Sequence, residues 1–307
     1  MENNLQNILN NSQKAFMKWK KTSVQERQKL LTVLSEKLLE NKEKFAQIIT
    51  REMNKPVSQA ISEIKKSAGM CAYYAEAKDV LKTEKVETEH AVSEIHYEPM
   101  GVILGIMPWN YPFWQALRFA VPAMLSGNVV ILKHASICEE TGDTLQHLFE
   151  ESGFPMGTFT HVKASHSEIE EMIASPVIKA VSLTGSEAAG RKVAAVAGQN
   201  LKKCVLELGG SDAFIVLEDA DIKKAAEDAA AARLQNCGQT CVAGKRFIIH
   251  HKIYDEFLSK FIEEYQKYIP GNPKNPETVL GSMAREDLAS ELENQYQKAI
   301  DNGAKIL

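Results

Sequence analysis

From Gly101 onward the chain alternates short apolar runs with helix-length amphipathic stretches, and no other feature constrains its fold as tightly. The runs cover residues 102–107, 129–132, 159–162, 178–183 and 204–206. Near-continuous apolar runs suit strands covered on both faces, and the spacing leaves room for one crossover helix between successive strands. That is the βαβ pattern of a parallel sheet flanked by helices, an α/β fold. Ligands of such sheets bind at the carboxyl ends of the strands. The segments 108–112, 133–136, 184–190 and 207–210 all fall at that end.

The first eighty residues read as helix. Leu30, Leu31, Leu34 and Leu38 recur at helical spacing, and Ser23 with Glu26 forms a capping-box signature ahead of them. Over residues 86–97 Thr, Val and Ile interleave with Glu and His, as in a polar-faced hairpin or edge strands. A second unit begins near Ser211: residues 214–217 read as a strand, Asp219 as the cap of an Ala-rich helix to about Asn236, and 247–249 as another strand. The last helix, 285–301, ends at Gly303 as a C-terminal glycine should, and 304–307 look like the start of a further strand. The expected organisation is a first domain of residues 1–85 and 99–210, a hairpin at 86–98, and a second α/β domain at 211–307. That second domain looks incomplete, as in a naturally short or truncated chain.

Composition narrows the function classes. A formal net charge of -4 leaves no basic excess for neutralising phosphates, so nucleic acid is not an expected partner. The most apolar stretch, 119–132, is interrupted by Pro122 and by Ser126, Gly127 and Asn128, so no membrane partner is expected either. The N-terminus has no cationic segment followed by an apolar one, which argues against a secretory signal. Five scattered cysteines, an odd count, point to free thiols in a reducing compartment, with the cytoplasm as the expectation. No metal site is expected.

Three residues carry the chemistry. Cys241 follows Gly238, Gln239 and Thr240, a tight polar turn whose backbone N–H groups can converge on a thiol and on an adjacent oxyanion. Glu207 ends a strand and precedes Gly209 and Gly210, where a carboxylate can reach toward water. Asn110 lies in a Pro-bounded turn leading into a helix. A thiol, a carboxylate and a side-chain amide are the parts of covalent acyl chemistry. Each also has an ordinary reading: a small buried thiol, a plain exposed Glu after a strand, and an Asx-turn or cap. Cys237 reads as packing sooner than as a thiol switch. Thr184, Gly185 and Ser186 with Gly190 resemble an anion cradle opening a helix, although no Gly-x-Gly-x-x-Gly fingerprint is present. Lys133 sits where such a sheet meets the adenosine ribose of a dinucleotide; a solvated strand-end lysine is the alternative.

These motifs, in this order and at these separations, resemble the aldehyde dehydrogenase superfamily from the N-terminal helices to the last residue. The resemblance implies a Rossmann-like cofactor domain, an oligomerisation hairpin and a catalytic domain. It makes Cys241 the nucleophile, Glu207 the general base, and Asn110 with the Cys241 backbone N–H the oxyanion hole. It implies that Met107, Pro108, Trp109, Lys133, Ser136, Thr184, Gly185, Ser186 and Leu208 face a cofactor, NAD or NADP. Ser136 in place of an acidic residue leaves room for a 2′-phosphate and tips the expectation toward NADP.

Segments 201–212 and 133–136 are similar to those of bacterial succinate-semialdehyde dehydrogenases. Arg118 and Gln235 are then the substrate-side residues, Gln235 standing where some such enzymes carry a second arginine, with Arg233 nearby. The expected activity is oxidation of a small aldehyde, succinic semialdehyde, by a chain that forms homo-oligomers when full-length. The rival expectations are a catalytically silent fragment that binds nucleotide or only assembles, and a cofactor-free thiol hydrolase using His250 or His251.

Overall fold

The protein is described by a computed structural model covering residues 2–307. Its contacts divide it into two compact units, one of residues up to Phe45 together with Ile61–Gly209, the other of Ala46–Ala60 together with Gly210–Leu307. Residues 46–60, placed in the first domain by sequence, thus group with the second unit.

Four helices lead the chain: α1 (Glu2–Trp19), α2 (Val24–Glu40), α3 (Lys42–Met53) and α4 (Val57–Glu76). The Ser23 and Glu26 capping box that opens α2 is formed in both directions, and Leu31, Leu34 and Leu38 on its inner face are fully buried. The hairpin segment forms a minimal antiparallel ladder of β1 (Glu84–Lys85) and β2 (Glu94–Ile95). Both strands are exposed on both faces.

The expected strands follow as β3 (Val102–Met107), β4 (Val129–His134), β5 (Phe159–His161), β6 (Ile178–Thr184) and β7 (Lys203–Glu207). They alternate with α5 (Pro112–Leu125), α6 (Glu139–Glu151), α7 (His166–Ala174) and α8 (Glu187–Gln199). The five strands form one parallel sheet in the order β5-β4-β3-β6-β7. Its two central strands explain their apolar sequences: Val102, Leu104, Val129, Val130, Ile131 and Leu132 are fully buried. The chain winds outward from β3 to β5, then returns to lay β6 beside β3. The order reverses between β3 and β6, so their carboxyl ends flank the crevice where open parallel sheets bind ligands.

Helix α5 is braced at its carboxyl end by the N-terminal helices. The Trp19 indole donates to the Met124 carbonyl at 3.1 Å, and the buried Arg27 guanidinium donates to the Leu125 carbonyl at 3.0 Å. A cation there complements the helix dipole and fills carbonyls with no partner inside the helix. The same helix lies close against β3 because Gly105 has no side chain: a Cβ there would come within 2.2 Å of the Phe119 ring.

In the second unit β8 (Asp212–Val216) and β9 (Gly244–Ile249) pair in parallel across α9 (Ile222–Leu234), with α10 (Tyr254–Tyr265) and α11 (Glu286–Asp301) after them. Val216, Ala226, Ala229 and Phe257 form its buried cluster. Two local expectations are corrected. The cap of α9 is Asp221, whose carboxylate accepts from the Lys224 N–H at 3.0 Å, because the helix starts two residues later than Asp219 would require. Residues 304–307 are exposed and irregular, since no neighbouring strand offers them a ladder. Gly303 takes a left-handed φ of 91° after α11, as expected of that glycine.

The Gly105 contact generates a test. Gly105→Ala must displace the Phe119 ring and is expected to cost about 1–3 kcal/mol of stability, read by urea denaturation. An unchanged midpoint would show that β3 and α5 are less tightly apposed.

Candidate active site

The sheet carries most of the expected site residues to its carboxyl edge. Met107 ends β3, and Pro108, Trp109 and Asn110 form the turn into α5. Lys133 lies in the last part of β4, Ser136 in the short 3-10 turn after it. Thr184 closes β6, and Gly185 and Ser186 lead into α8. Ser186 caps that helix, its hydroxyl accepting from the Ala189 N–H at 3.2 Å. Glu207 closes β7 opposite Thr184 in the ladder, with its carbonyl accepting the Gly185 N–H at 3.0 Å. Leu208 follows and lies over Gly190, where a Cβ would come within 2.7 Å of its side chain.

Two of the predicted residues meet directly. Arg118, on α5, brings Nη2 to 3.9 Å from Glu207 Oε2, with both side chains partly exposed. A pair at that distance and exposure contributes little stability, and the Glu207 carboxylate keeps access to water, as an edge-strand position allows.

Asn110 sits in a firmly held turn. It is half-buried, with its amide oxygen out of contact with solvent. Helix α5 starts at Pro112 with Tyr111 as its cap residue, and Tyr111 makes no side-chain capping bond. The first turn is satisfied from elsewhere: Glu63 Oε1, on α4, accepts the Phe113 N–H at 2.9 Å and the Trp114 N–H at 3.0 Å. Pro112 contributes its carbonyl to His134 Nε2 at 3.0 Å, while His134 Nδ1 accepts the Ala135 N–H at 2.9 Å. That pattern fits one species, the neutral imidazole with its proton on Nε2. Burial pushes the His134 pKa down to about 4; the Pro112 bond opposes the shift, and His161 and Lys133 add to it.

Lys133 is half-buried and burial lowers its pKa, partly offset by Glu139. An ammonium drawn partly out of water at a strand end is a donor suited to ribose hydroxyls or a phosphate, and the exposed Ser136 hydroxyl three residues on is a second donor. The chemistry of this donor set fits a dinucleotide. Among the described residues no group of three or more His, Cys, Asp or Glu side chains could hold a metal ion. No described helix is long and apolar enough to cross a membrane.

The second unit builds the Cys241 loop. Helix α9 ends at Leu234, and the exposed Gln235 is its C-cap, with a carbonyl that accepts the Thr240 hydroxyl at 3.3 Å. Asn236, Cys237 and Gly238 then take three successive left-handed φ values of 55°, 56° and 75°. Two of these are not glycine, a costly conformation that persists only where the surroundings enforce it, and such outliers cluster at functional sites.

The enforcement is visible. Gln59 Oε1 accepts the Asn236 N–H at 2.9 Å, Cys237 Sγ accepts the Gly281 N–H at 3.2 Å, and Gln239 Oε1 accepts the Ala284 N–H at 3.0 Å. Arg233 Nη1 donates to the Gly238 carbonyl at 3.1 Å, so this guanidinium holds the loop. Lys245 Nζ ties the Cys241 carbonyl to that of Gly210, at 2.7 and 2.6 Å. Burial raises the Cys237 pKa, opposed by the Gly281 N–H and by Lys55, which suits a packed thiol. Cys241 is only partly buried, and all five cysteines are free thiols.

Sequence reading did not single out Glu63, His134, Gln59 or the loop-holding role of Arg233. For Glu63 and Gln59 no local signal exists, because their partners lie 50 and 177 residues away. His134 had one: an ionisable residue directly after four apolar strand positions and a lysine.

Comparison with known proteins gives the family of the chain. The sequence profile of the aldehyde dehydrogenase family matches residues 1–307, and the chain belongs to that family. It is 40% identical over 301 residues to the succinate-semialdehyde dehydrogenase (NADP+) of Deinococcus radiodurans, covering 98% of this chain and 63% of the relative. It is 42% identical over 304 residues to the succinate semialdehyde dehydrogenase (NAD(P)+) Sad of Escherichia coli K12, covering 99% and 66%. Among solved structures, the succinic semialdehyde dehydrogenase of Streptococcus pyogenes in complex with NADP+ superposes with a TM-score of 0.96 at 34% identity. That match covers 99% of this chain and 67% of the other. The chain thus spans about two thirds of the length of these relatives.

The His134 bonds predict an acid sensitivity. The unfolded chain takes up a proton near pH 6.5, whereas the folded site resists it until about pH 4. The stabilisation is complete above pH 6.5 and falls by about 1.4 kcal/mol per pH unit between those values. Urea midpoints measured from pH 7 to pH 4 should fall more steeply for the parent than for His134→Gln, and equal slopes would contradict the assignment.

Proposed function

We propose that this chain carries the nucleophile, oxyanion donor and general base of an NAD(P)-dependent aldehyde dehydrogenase acting on succinic semialdehyde. The observation that carries the reading is the Cys241 loop, whose left-handed backbone is held by the Gln59 and Arg233 side chains and by its own Gln239 gripping the Ala284 N–H. Conformational cost of that kind is retained where a reactive group must be presented in one orientation.

In this reading the Cys241 thiolate adds to the aldehyde carbon and forms a thiohemiacetal. Asn110 and the Cys241 backbone N–H hold the oxygen as its charge develops. A nicotinamide cofactor held at the strand ends would supply the hydride acceptor for oxidation of this adduct to the thioester. Glu207 removes a proton from water, which attacks the thioester carbon, and the carboxylate product leaves as the Cys241 thiolate is restored. Arg118 offers a cation to the substrate carboxylate, and Gln235 is the second substrate-side residue of this reading.

The cofactor residues in this proposal are Met107, Pro108, Trp109, Thr184, Gly185, Ser186 and Leu208 at the strand ends, with Lys133 and Ser136 taking the ribose. Ser136 leaves space that an acidic side chain would fill with like charge, which favours NADP. The NADP+ named for the Deinococcus and Streptococcus relatives supports the same choice. The hairpin of β1 and β2 serves homo-oligomer formation, and the cytoplasm is the proposed location.

NADPH production from succinic semialdehyde by the purified protein tests the reading. Cys241→Ala should abolish it, Asn110→Ala should lower kcat by about 10²–10³, and Glu207→Gln should lower it by about 10²–10⁴. Binding of NADP without turnover would contradict the proposed function and favour a nucleotide-binding fragment. Turnover by Cys241→Ala at the parent rate would remove the nucleophile.

A further inference from the structure

The Asn110 turn is a short piece of irregular backbone between a strand and a helix, and it cannot set its own geometry. Its cap residue, Tyr111, provides no side-chain bond to the first turn of α5. Two side chains from other elements do so instead. Glu63, on α4 and only 4% exposed, places one carboxylate oxygen between the Phe113 and Trp114 N–H groups. His134, at the end of β4 and 2% exposed, takes the Pro112 carbonyl. The Cys138 thiol lies 3.9 Å from the Trp109 carbonyl, on the other side of Asn110.

A carboxylate at a helix N-terminus satisfies N–H groups that have no partner within the helix and complements its dipole. Here it does so from inside the protein and three residues from the proposed oxyanion donor. At the far end of the same helix Arg27 grips the Leu125 carbonyl. Helix α5 is therefore pinned by an anion at its start and a cation at its finish, and neither can relax into solvent.

We infer that Glu63 is a positioning residue for Asn110: its buried carboxylate fixes the first turn of α5, with His134 as the second strut, and so fixes where the Asn110 amide meets the oxyanion. The inference rests on the proposed role of Asn110. Glu63 touches neither substrate nor cofactor in this account. Its effect passes through three residues of backbone, and a misplacement of about 1 Å at such a donor is enough to cost about 10²-fold in rate.

The consequences separate positioning from general support of the fold. Glu63→Ala should lower kcat by about 10- to 100-fold with little change in the KM for the aldehyde, because the oxyanion contact strengthens only in the transition state. Glu63→Gln retains an oxygen that accepts both N–H groups and should return kcat to within about threefold of the parent. In an Asn110→Ala background the further loss on adding Glu63→Ala should shrink to about threefold or less, since residues acting through one group are not additive.

The test combines these rates with amide hydrogen exchange on the full chain. Glu63→Ala should raise exchange of the 110–116 segment about tenfold or more, leaving 102–107 and 129–134 protected as in the parent. If Glu63→Ala does not fold, Glu63→Asp, which withdraws the carboxylate by one methylene, takes its place in both arms. Unchanged exchange at 110–116 would overturn the inference, and so would an equal loss of kcat in the presence and absence of the Asn110 amide. A parent-like kcat for Asn110→Ala is a different failure: it removes the oxyanion reading, and the inference falls with it even if the segment has loosened.

Discussion

Every site residue that the first unit contributes depends on the parallel ladder that joins β3 to β4 on one side and to β6 on the other. A parallel strand must exchange hydrogen bonds along its length while both faces are covered, and six β3 residues from Val102 to Met107 do this against β4 in unbroken register. Because both neighbours run the same way, Met107, His134 and Thr184 finish at one edge of the sheet. Polar side chains gather there because the backbone leaves the apolar layer at that edge, and because crossing helices begin there with unpaired N–H groups.

Helix α5 converts the end of β3 into chemistry. It carries Arg118 within 3.9 Å of Glu207 and starts two residues after Asn110, so its placement sets the geometry of that part of the site. The sequence secures this placement three times over: by Gly105, which lets the Phe119 ring lie on the strand, by Arg27 at the carboxyl end, and by Glu63 at the amino end. Each device is an ordinary piece of helix physics. Their combination secures α5 at both ends and along its side. The second unit uses a different means, enforcing a left-handed run at Asn236, Cys237 and Gly238 with side-chain bonds from outside the loop.

Much of this was legible in the sequence, and the boundary has a physical cause. The five strands were read from their apolar runs because burial on both faces leaves few polar residues in β3 and β4. The capping box at Ser23 and Glu26 was read because both partners lie within one turn. Cys241, Glu207 and Asn110 could be named from their motifs; Glu207 ends β7, and Asn110 lies in the turn between β3 and α5. The misses are of another kind. Asp221 instead of Asp219 caps α9 because two acids two residues apart compete and local pattern does not choose between them. Glu63 looks like any helical glutamate, and only its approach to Phe113, 50 residues on, reveals its use. Residues 304–307 show β-like composition without a strand partner, and composition alone makes no ladder.

The central claim is that a covalent acyl intermediate forms on one particular thiol. Intact and peptide mass spectrometry of the Glu207→Gln protein, quenched after mixing with NADP and succinic semialdehyde, tests it most directly, because loss of the general base should let the thioester accumulate. The account predicts a mass increase of one succinyl group confined to the peptide bearing Cys241. Aldehyde oxidation with no such adduct, or an adduct on any other of the five cysteines, would contradict it.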